Sequence, residues 1–449
     1  MRYTPHTPAD LERMLATIGL NSVDELYRHI PRTLRQRAKI NLPDGLTELA
    51  VRQRLMALAS RNANAGDWSF FLGGGIYNHF IPSAVDATIS RAEFSTSYTP
   101  YQPEVSQGTL QALFEYQTLI CQLTGMEVSN AAVYDGASAA AEAVLMSRRI
   151  QPAKKHRVLM SRALHPQYRA VVATYLKNLA DVHLEEFPFD GASGATDLDR
   201  LKRQLNDQTM CVLLGYPNFF GVIDDPAPIR AACAAAGAHL ITVTSEPLSL
   251  ALLKPPGHFG VDIAVGEGQS LGVPMCLGGP AFGFFACQKK FVRNIPGRLV
   301  GETVDSEGRR GFVLTLATRE QHIRREKATS NICTSQTLCA LAATVYMALL
   351  GKSGLRRIAG INVARAHDAH ARLSQLPGFG APFRGPFFNE FILRADDLTQ
   401  LFAKCAAQKI LPGVALEPYY PELKNAFLVC VTEMNEREEI DRLVRTCTE

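Results

Sequence analysis

The chain reads as an α/β protein with a large, mostly parallel sheet domain, a smaller C-terminal α+β domain and a helical N-terminal arm. Three observations predict this. From Tyr101 to Val292, short β-rich apolar runs alternate with helical stretches, the pattern of βαβ units. The tail, roughly 355–449, mixes helices with short strands. The first sixty or so residues show only helical periodicity.

The elements follow in order. Thr7 and Pro8 form an N-cap and first helical position, after which Leu11, Met14, Leu15 and Ile18 recur at helical spacing. A second short helix restarts at 21–27. This arm, expected over 1–65, should pack on the body or on a partner. In the large domain, 66–335, strands are expected at 158–160, 210–214, 239–243 and 262–265. Helices are expected at 110–123, 166–179 and 227–236, the last closed by Gly237. Ligands should gather at the carboxyl ends of those strands. A linker helix at 335–350, ended by Gly351, opens the small domain, 336–449. There 361–376 and 398–409 read as helices, and 389–393 and 426–431 as strands.

Composition narrows the classes. The chain has 449 residues, 47% apolar and 20% charged, with a net charge of +4, an ordinary globular profile that offers nucleic acid no strong field. No uninterrupted run of about 18 apolar residues points to a membrane span, and the N-terminus lacks a secretory pattern. The ten cysteines are scattered without a C-x-x-C pair, so reduced thiols in a cytoplasmic protein without a metal site are expected.

Several segments carry chemical interest. The stretch 261–280 runs from an apolar strand into a Gly/Pro-rich loop, yet no lysine occurs between Lys254 and Lys289. Gly268, Ser270 and Gly272 match G-x-S-x-G, and Asp305 and His322 would complete a triad order. However, the following residues, including Pro274, cannot continue as the helix that a nucleophile elbow needs. Gly73–Gly75 lacks phosphate-loop spacing and reads as a flexible loop. The loop with Tyr98, Tyr101, Gln102, Glu104, Ser106 and Gln107 is stiffened by Pro100 and Pro103, which suits a binding surface as well as a plain turn. Gly136 and Ser138 open an alanine-rich helix whose start suits either an anion or close packing. The charge run from Arg319 to Lys327 reads as a solvated face, but it gives way to Thr329, Ser330, Asn331, Cys333 and Thr334, which would suit a phosphate or a neighbouring chain. His165 follows a core strand, at the ligand end of the sheet.

These segments together resemble the glycine-cleavage P-protein, in the split form where two homologous subunits replace one long chain, and specifically its subunit 1. The resemblance runs over nearly the whole chain and is carried by the literal segments 72–82, 98–108, 123–126, 135–143 and 319–333. It implies the type I fold of pyridoxal phosphate (PLP) enzymes and an oxidoreductase complex that decarboxylates glycine and passes an aminomethyl group to the lipoyl arm of H-protein. Aligned on Gly272 and Gly278, the family's His-Lys pair falls on Gly268 and Gln269. A primary amide cannot form the Schiff base that lysine makes. Residues 244–248 also offer no clear aspartate for the pyridine nitrogen. The resemblance thus implies a vestigial site of His165, Gln269 and Ser138, with PLP on subunit 2. It further implies an α2β2 assembly in which Tyr98, Tyr101, Gln102, Glu104 and Gln107 reach toward the partner's site. The rival readings are a stand-alone PLP enzyme using Lys254 or Lys289, a structural or regulatory homologue, and a hydrolase at Ser270.

Overall fold

Strands that are buried along their whole length frame the molecule. A computed structural model describes residues 5–38, 41–276 and 278–448. The main sheet comprises β1 (Val128–Ser129), β2 (Arg157–Ser161), β3 (His183–Phe187), β4 (Thr209–Gly215), β5 (His239–Thr244), β6 (Ile263–Glu267) and β7 (Gly283–Cys287). Their order is β1-β7-β6-β5-β4-β2-β3. The five strands β6, β5, β4, β2 and β3 run parallel; β7 pairs antiparallel with β6, and β1 antiparallel with β7. Every residue of β4, β5 and β6 is buried. Such continuous apolar runs occur where helices cover both faces of a parallel sheet.

Two helical layers supply that cover. On one side, α5 (Gly136–Ile150) and α6 (Pro166–Leu176) pack Ala140, Val144 and Val172 against Val158, Ile241 and Val265. On the other, α4 (Gln107–Thr124) and α8 (Thr337–Leu373) join Leu110, Tyr116 and Tyr346 to Ala264 and Phe284. Asp225 caps α7 (Pro226–Ala235), and Gly237 follows it at φ +63, the left-handed exit the sequence predicts.

α8 departs from expectation. Gly351 is non-helical (φ 58°, ψ −176°) but helix resumes directly after it rather than at 361. Among the described residues it is the one helix long and apolar enough to cross a membrane, where the sequence reading expects none. Its Ala340, Ala343, Tyr346 and Met347 are core residues packed with α4, while Leu338 and Leu349 are exposed.

A hairpin of β8 (Leu299–Val304) and β9 (Arg310–Thr315) leads on toward a second sheet. That sheet comprises β10 (Phe379–Gly380), β11 (Glu390–Ala395), β12 (Val414–Ala415) and β13 (Ala426–Cys430), antiparallel in the order β10-β11-β13-β12. α9 (Leu398–Ala407) and α10 (Arg437–Thr448) close its core through Leu401, Cys405, Ile440 and Leu443. Ser69–Phe70 pairs with Ile410–Leu411 in a separate two-stranded ladder, and the Phe71 carbonyl accepts from Cys430 N–H at 3.0 Å, so the chain just before Gly73 is anchored to β13.

Contacts divide the chain into Met1–Ala63 and Asn64–Glu449. The first unit holds α1 (Pro8–Thr17), α2 (Arg32–Arg37) and α3 (Glu48–Ala59). Thr7 and Asp10 form a reciprocal capping box on α1, and none of the three helices buries a residue.

Within the second unit the two sheets meet where Ile223 N–H donates to the Pro386 carbonyl at 2.8 Å. Gly221, at φ +77, lies against the Glu390 backbone, and a Cβ there would overlap the Glu390 carbonyl oxygen. Gly221→Ala is therefore expected to cost roughly 2–4 kcal/mol, read as a lower thermal midpoint in calorimetry.

Candidate functional site

The carboxyl ends of β2, β4, β5 and β6 share one edge because these strands run parallel. His165 follows β2, Asn218 follows β4, Glu246 follows β5, and Glu267 ends β6 just before Gln269 and Ser270. The loop from Gly73 to His79 crosses this edge. Gln269 is 2% exposed. Its Oε1 accepts from the Tyr77 N–H at 2.9 Å, and its Nε2 donates to the Tyr77 carbonyl at 3.1 Å and the Val273 carbonyl at 2.7 Å.

The His165 ring holds the other end of the loop. Its Nδ1 accepts from Gln167 N–H and its Nε2 donates to the Gly74 carbonyl at 2.6 Å. This pairing uses the neutral ring, and burial lowers the imidazole to about 4. Gly75 sits at φ +104, and a Cβ there would stand 2.9 Å from His165 Nε2, so glycine is what permits the approach. Gly73–Gly75 is therefore a fixed insert, not the flexible loop expected from sequence. Glu390 completes the grip: its Oε1 accepts from Gly74 N–H at 2.7 Å and its Oε2 from the Tyr77 hydroxyl at 3.0 Å. Burial pushes the Glu390 carboxyl up to about 7, against the pull of those two donors.

His79 carries the network onward. Its Nε2 lies 2.8 Å from Glu246 Oε2 and its Nδ1 lies 2.8 Å from Glu433 Oε2. Two acceptors on two ring nitrogens require the imidazolium. Burial alone would lower its pKa, but the two carboxylates raise it to about 10. Glu246 also accepts from Ser270 Oγ at 3.1 Å and from Leu248 N–H at 2.9 Å.

The start of α5 is likewise occupied. Asp135 accepts from Ser138 N–H at 2.7 Å, and Glu267 accepts from Gly136 N–H at 2.9 Å. Burial pushes Glu267 up to about 7. A helix start that would otherwise attract a phosphate thus faces two carboxyl groups of its own chain. Tyr77, Phe219, Ser245, Glu246, Asn389 and Glu390 enclose a cavity of about 10 Å³. That is roughly one water molecule, whereas ligand pockets run to about 300 Å³ or more.

These residues do not fit PLP. The loop that bonds Gln269 also bonds His165, two of the three positions of the vestigial site that the resemblance implies. His165 serves as a structural contact, and the Ser138 N–H serves a cap. The alternative lysines help no further. Lys254 and Lys289 are exposed, and Lys289 follows Cys287, which pairs with Ile263 at the far end of β6 from Glu267. The hydrolase reading fails as well, because Ser270 is 2% exposed beneath Glu246, no helix follows it, and Asp305 caps the exposed turn of the β8–β9 hairpin. Among the described residues no group of three metal-ligating side chains occurs.

The polar loop at 97–107 is separate from this cleft. Tyr98 is 82% exposed and Tyr101 51%, and Gln102 and Glu104 are also exposed. Gln107 departs from expectation: its amide donates to the Phe312 carbonyl at 2.8 Å and accepts from Phe312 N–H at 2.9 Å. It fastens α4 to the hairpin through its amide, although the residue as a whole is exposed. Tyr101 meets the segment after Arg319. Arg298 donates to its hydroxyl at 3.0 Å, and the His322 ring meets it edge-on at 5.6 Å. Two segments singled out separately in the sequence thus form one surface.

Sequence reasoning missed Tyr77, His79, Glu246, Glu390, Glu433 and Arg298. The buried carboxylates belong to separate elements, which no local pattern joins. A faint signal existed for Tyr77 and His79, since they lie in one of the literal segments of the resemblance.

A large parallel sheet, a small antiparallel sheet domain and a strand-end cleft at their junction define the type I fold of PLP-dependent enzymes. Solved structures agree on the fold: a Burkholderia pseudomallei sphingosine-1-phosphate lyase superposes with a TM-score of 0.67 at 17% identity over 91% of this chain and 92% of that one. The chain belongs to the glycine cleavage system P-protein family, whose model matches residues 1–447. A crystal structure of glycine decarboxylase (P-protein) of the glycine cleavage system, in inhibitor-bound form, is 44% identical with a TM-score of 0.91, covering 100% of this chain and 99% of that one. Two relatives described as probable glycine dehydrogenase (decarboxylating) subunit 1 are similar throughout. That of Anaeromyxobacter dehalogenans is 51% identical over 446 residues, and that of Carboxydothermus hydrogenoformans 47% over 445, each covering at least 98% of both chains.

The closed cleft makes two outcomes measurable. Gln269→Lys is expected to gain no Schiff-base absorbance when PLP is added to the isolated chain, and to lower the thermal midpoint, because an ammonium would be buried facing the Tyr77 N–H donor. For His79 the folded pKa, about 10, lies above the unfolded value near 6.5. Its stabilisation is therefore fully present below about pH 6.5 and lost as pH rises toward 10. The stability difference between the natural chain and His79→Gln, followed by urea unfolding at a series of pH values, should shrink across that window.

Proposed function

We propose that this chain is the non-cofactor-bearing subunit 1 of glycine dehydrogenase (decarboxylating), acting in the cytoplasm beside a homologous PLP-bearing subunit 2 in an α2β2 assembly. The observation that carries this reading is the cleft filled by residues 73–79, in a chain whose family model spans 1–447. A fold whose own ligand edge is closed contributes to catalysis through its surface. The PLP of the partner, when bound, supplies the electron sink for decarboxylation. The partner site is completed, in this reading, by Tyr98, Tyr101, Gln102 and Glu104, which bind and orient the glycine carboxylate and shape the way in for the lipoyl arm of H-protein.

The phenol of Tyr101 offers a neutral donor to a carboxylate and Glu104 an acceptor for an amino group. Both are held by a backbone stiffened at Pro100 and Pro103. In the reconstituted two-subunit complex, Tyr101→Phe and Glu104→Gln are each expected to lower glycine decarboxylation on the order of 10- to 100-fold, the loss of one hydrogen bond to a charged group. Full activity in both variants would leave this chain a structural or regulatory homologue instead.

A further inference from the structure

The surface around Tyr101 contains a buried arginine that the function above does not use. Arg298 is 5% exposed. One terminal nitrogen donates to the Tyr101 hydroxyl at 3.0 Å and the Cys333 carbonyl at 2.6 Å, and the other to Thr334 Oγ1 at 3.2 Å. The guanidinium also lies 5.2 Å from the Tyr101 ring centroid, within range of a cation–π contact. Its carbonyl accepts from Ala131 N–H at 2.8 Å, so its backbone is tied to the strand region of the large domain. Behind it, Glu320 Oε2 lies 3.9 Å from Arg298 Nε and 3.6 Å from His322 Nδ1. Tyr101, Arg298, Glu320 and His322 thus close into a ring of four side chains.

The direction of the hydrogen bond at Tyr101 matters. Arginine has donors only, so the phenol oxygen is the acceptor and its own proton is free to point elsewhere. Among the described residues nothing accepts that proton. The ring is half exposed, and its loop alone would leave it several rotamers. A planar fork already fastened to Cys333 and Thr334 removes that freedom before any ligand arrives.

We infer that Arg298 is a positioning residue: it locks Tyr101 as an outward-facing O–H donor for an oxyanion presented at the subunit interface. This rests on the proposed interface role of Tyr101. The oxyanion is either the substrate carboxylate or the phosphate of the partner's cofactor, and the two sources separate by readout.

The test uses the assembled two-subunit complex carrying Tyr101→Phe, Arg298→Met, Arg298→Lys and the double variant, with assembly checked by size exclusion. Glycine KM, kcat and PLP retention during dialysis are measured. Arg298→Met is expected to raise the glycine KM about 10-fold with kcat little changed if the oxyanion is the carboxylate. If it is the phosphate, PLP is instead lost about 10-fold more readily. Arg298→Lys is not expected to rescue either effect, since one ammonium does not reproduce the planar fork. Adding Arg298→Met to Tyr101→Phe should cost nothing further. An undiminished cost of Arg298→Met in the Tyr101→Phe background, or full rescue by lysine, would overturn the inference. If Arg298→Met fails to assemble, Thr334→Val removes a single anchor of the fork and is expected to move the same parameter about two- to fivefold; no change in any parameter sinks the inference. Should Tyr101→Phe itself be silent, the interface role of Tyr101 falls, and the inference with it. Should it cost activity while Arg298→Met does not, only the role of Arg298 falls.

Discussion

The buried Gln269 carboxamide, bonded to both main-chain groups of Tyr77, is the contact on which the rest of the cleft is built. It stands at the end of the central strand β6, the position a parallel sheet reserves for ligands. A neutral amide there can satisfy a backbone donor and a backbone acceptor at once, and a lysine cannot. Once Tyr77 is docked, Gly74 falls within reach of His165 and Glu390, and His79 falls between Glu246 and Glu433. The space that would hold a ligand is filled by the chain's own backbone.

The charges in this cleft favour one arrangement more than they add stability. A buried imidazolium is costly to desolvate, and its two carboxylates largely offset that cost. Removing either partner would strand a charge, so only the full set is tolerated. Glu246 belongs to the large domain and Glu433 follows β13 of the small sheet. Their shared hold on His79, with the Gly221–Glu390 contact, fixes the two sheets against each other. Glu390 and Glu267 are both buried at this edge, and that burial raises their carboxyl groups to about 7.

The contrast with the 97–107 loop is physical. In the cleft nearly every polar atom is matched inside the chain. At the loop, Tyr98 and Glu104 make no side-chain hydrogen bond within the described residues, and Tyr101 keeps a free donor beside His322. Groups left unsatisfied on a stiff backbone suit a partner, and groups saturated in a core suit architecture. In the proposed reading, that distinction assigns chemistry to the surface of this chain and structure to its filled ligand cleft.

Much of this was legible from residues alone. The alternation of β-rich runs and helices implied the parallel sheet, because strand and helix periods are properties of neighbouring residues. The lysine-free loop at 261–280 and the literal family segments located Gln269 and the family. What tertiary structure decided were the meetings of distant positions. Tyr77 with Gln269, His79 with Glu246 and Glu433, and Tyr101 with Arg298 lie far apart along the chain and touch only in the fold. Gln107 is exposed, as its sequence context suggests, but its amide is spent on Phe312 in a hairpin that only folding brings near. A sequence determines what each side chain can donate, accept or carry. Which of those capacities are spent inside the chain, and which remain for a partner, depends on the packing that sets the distances.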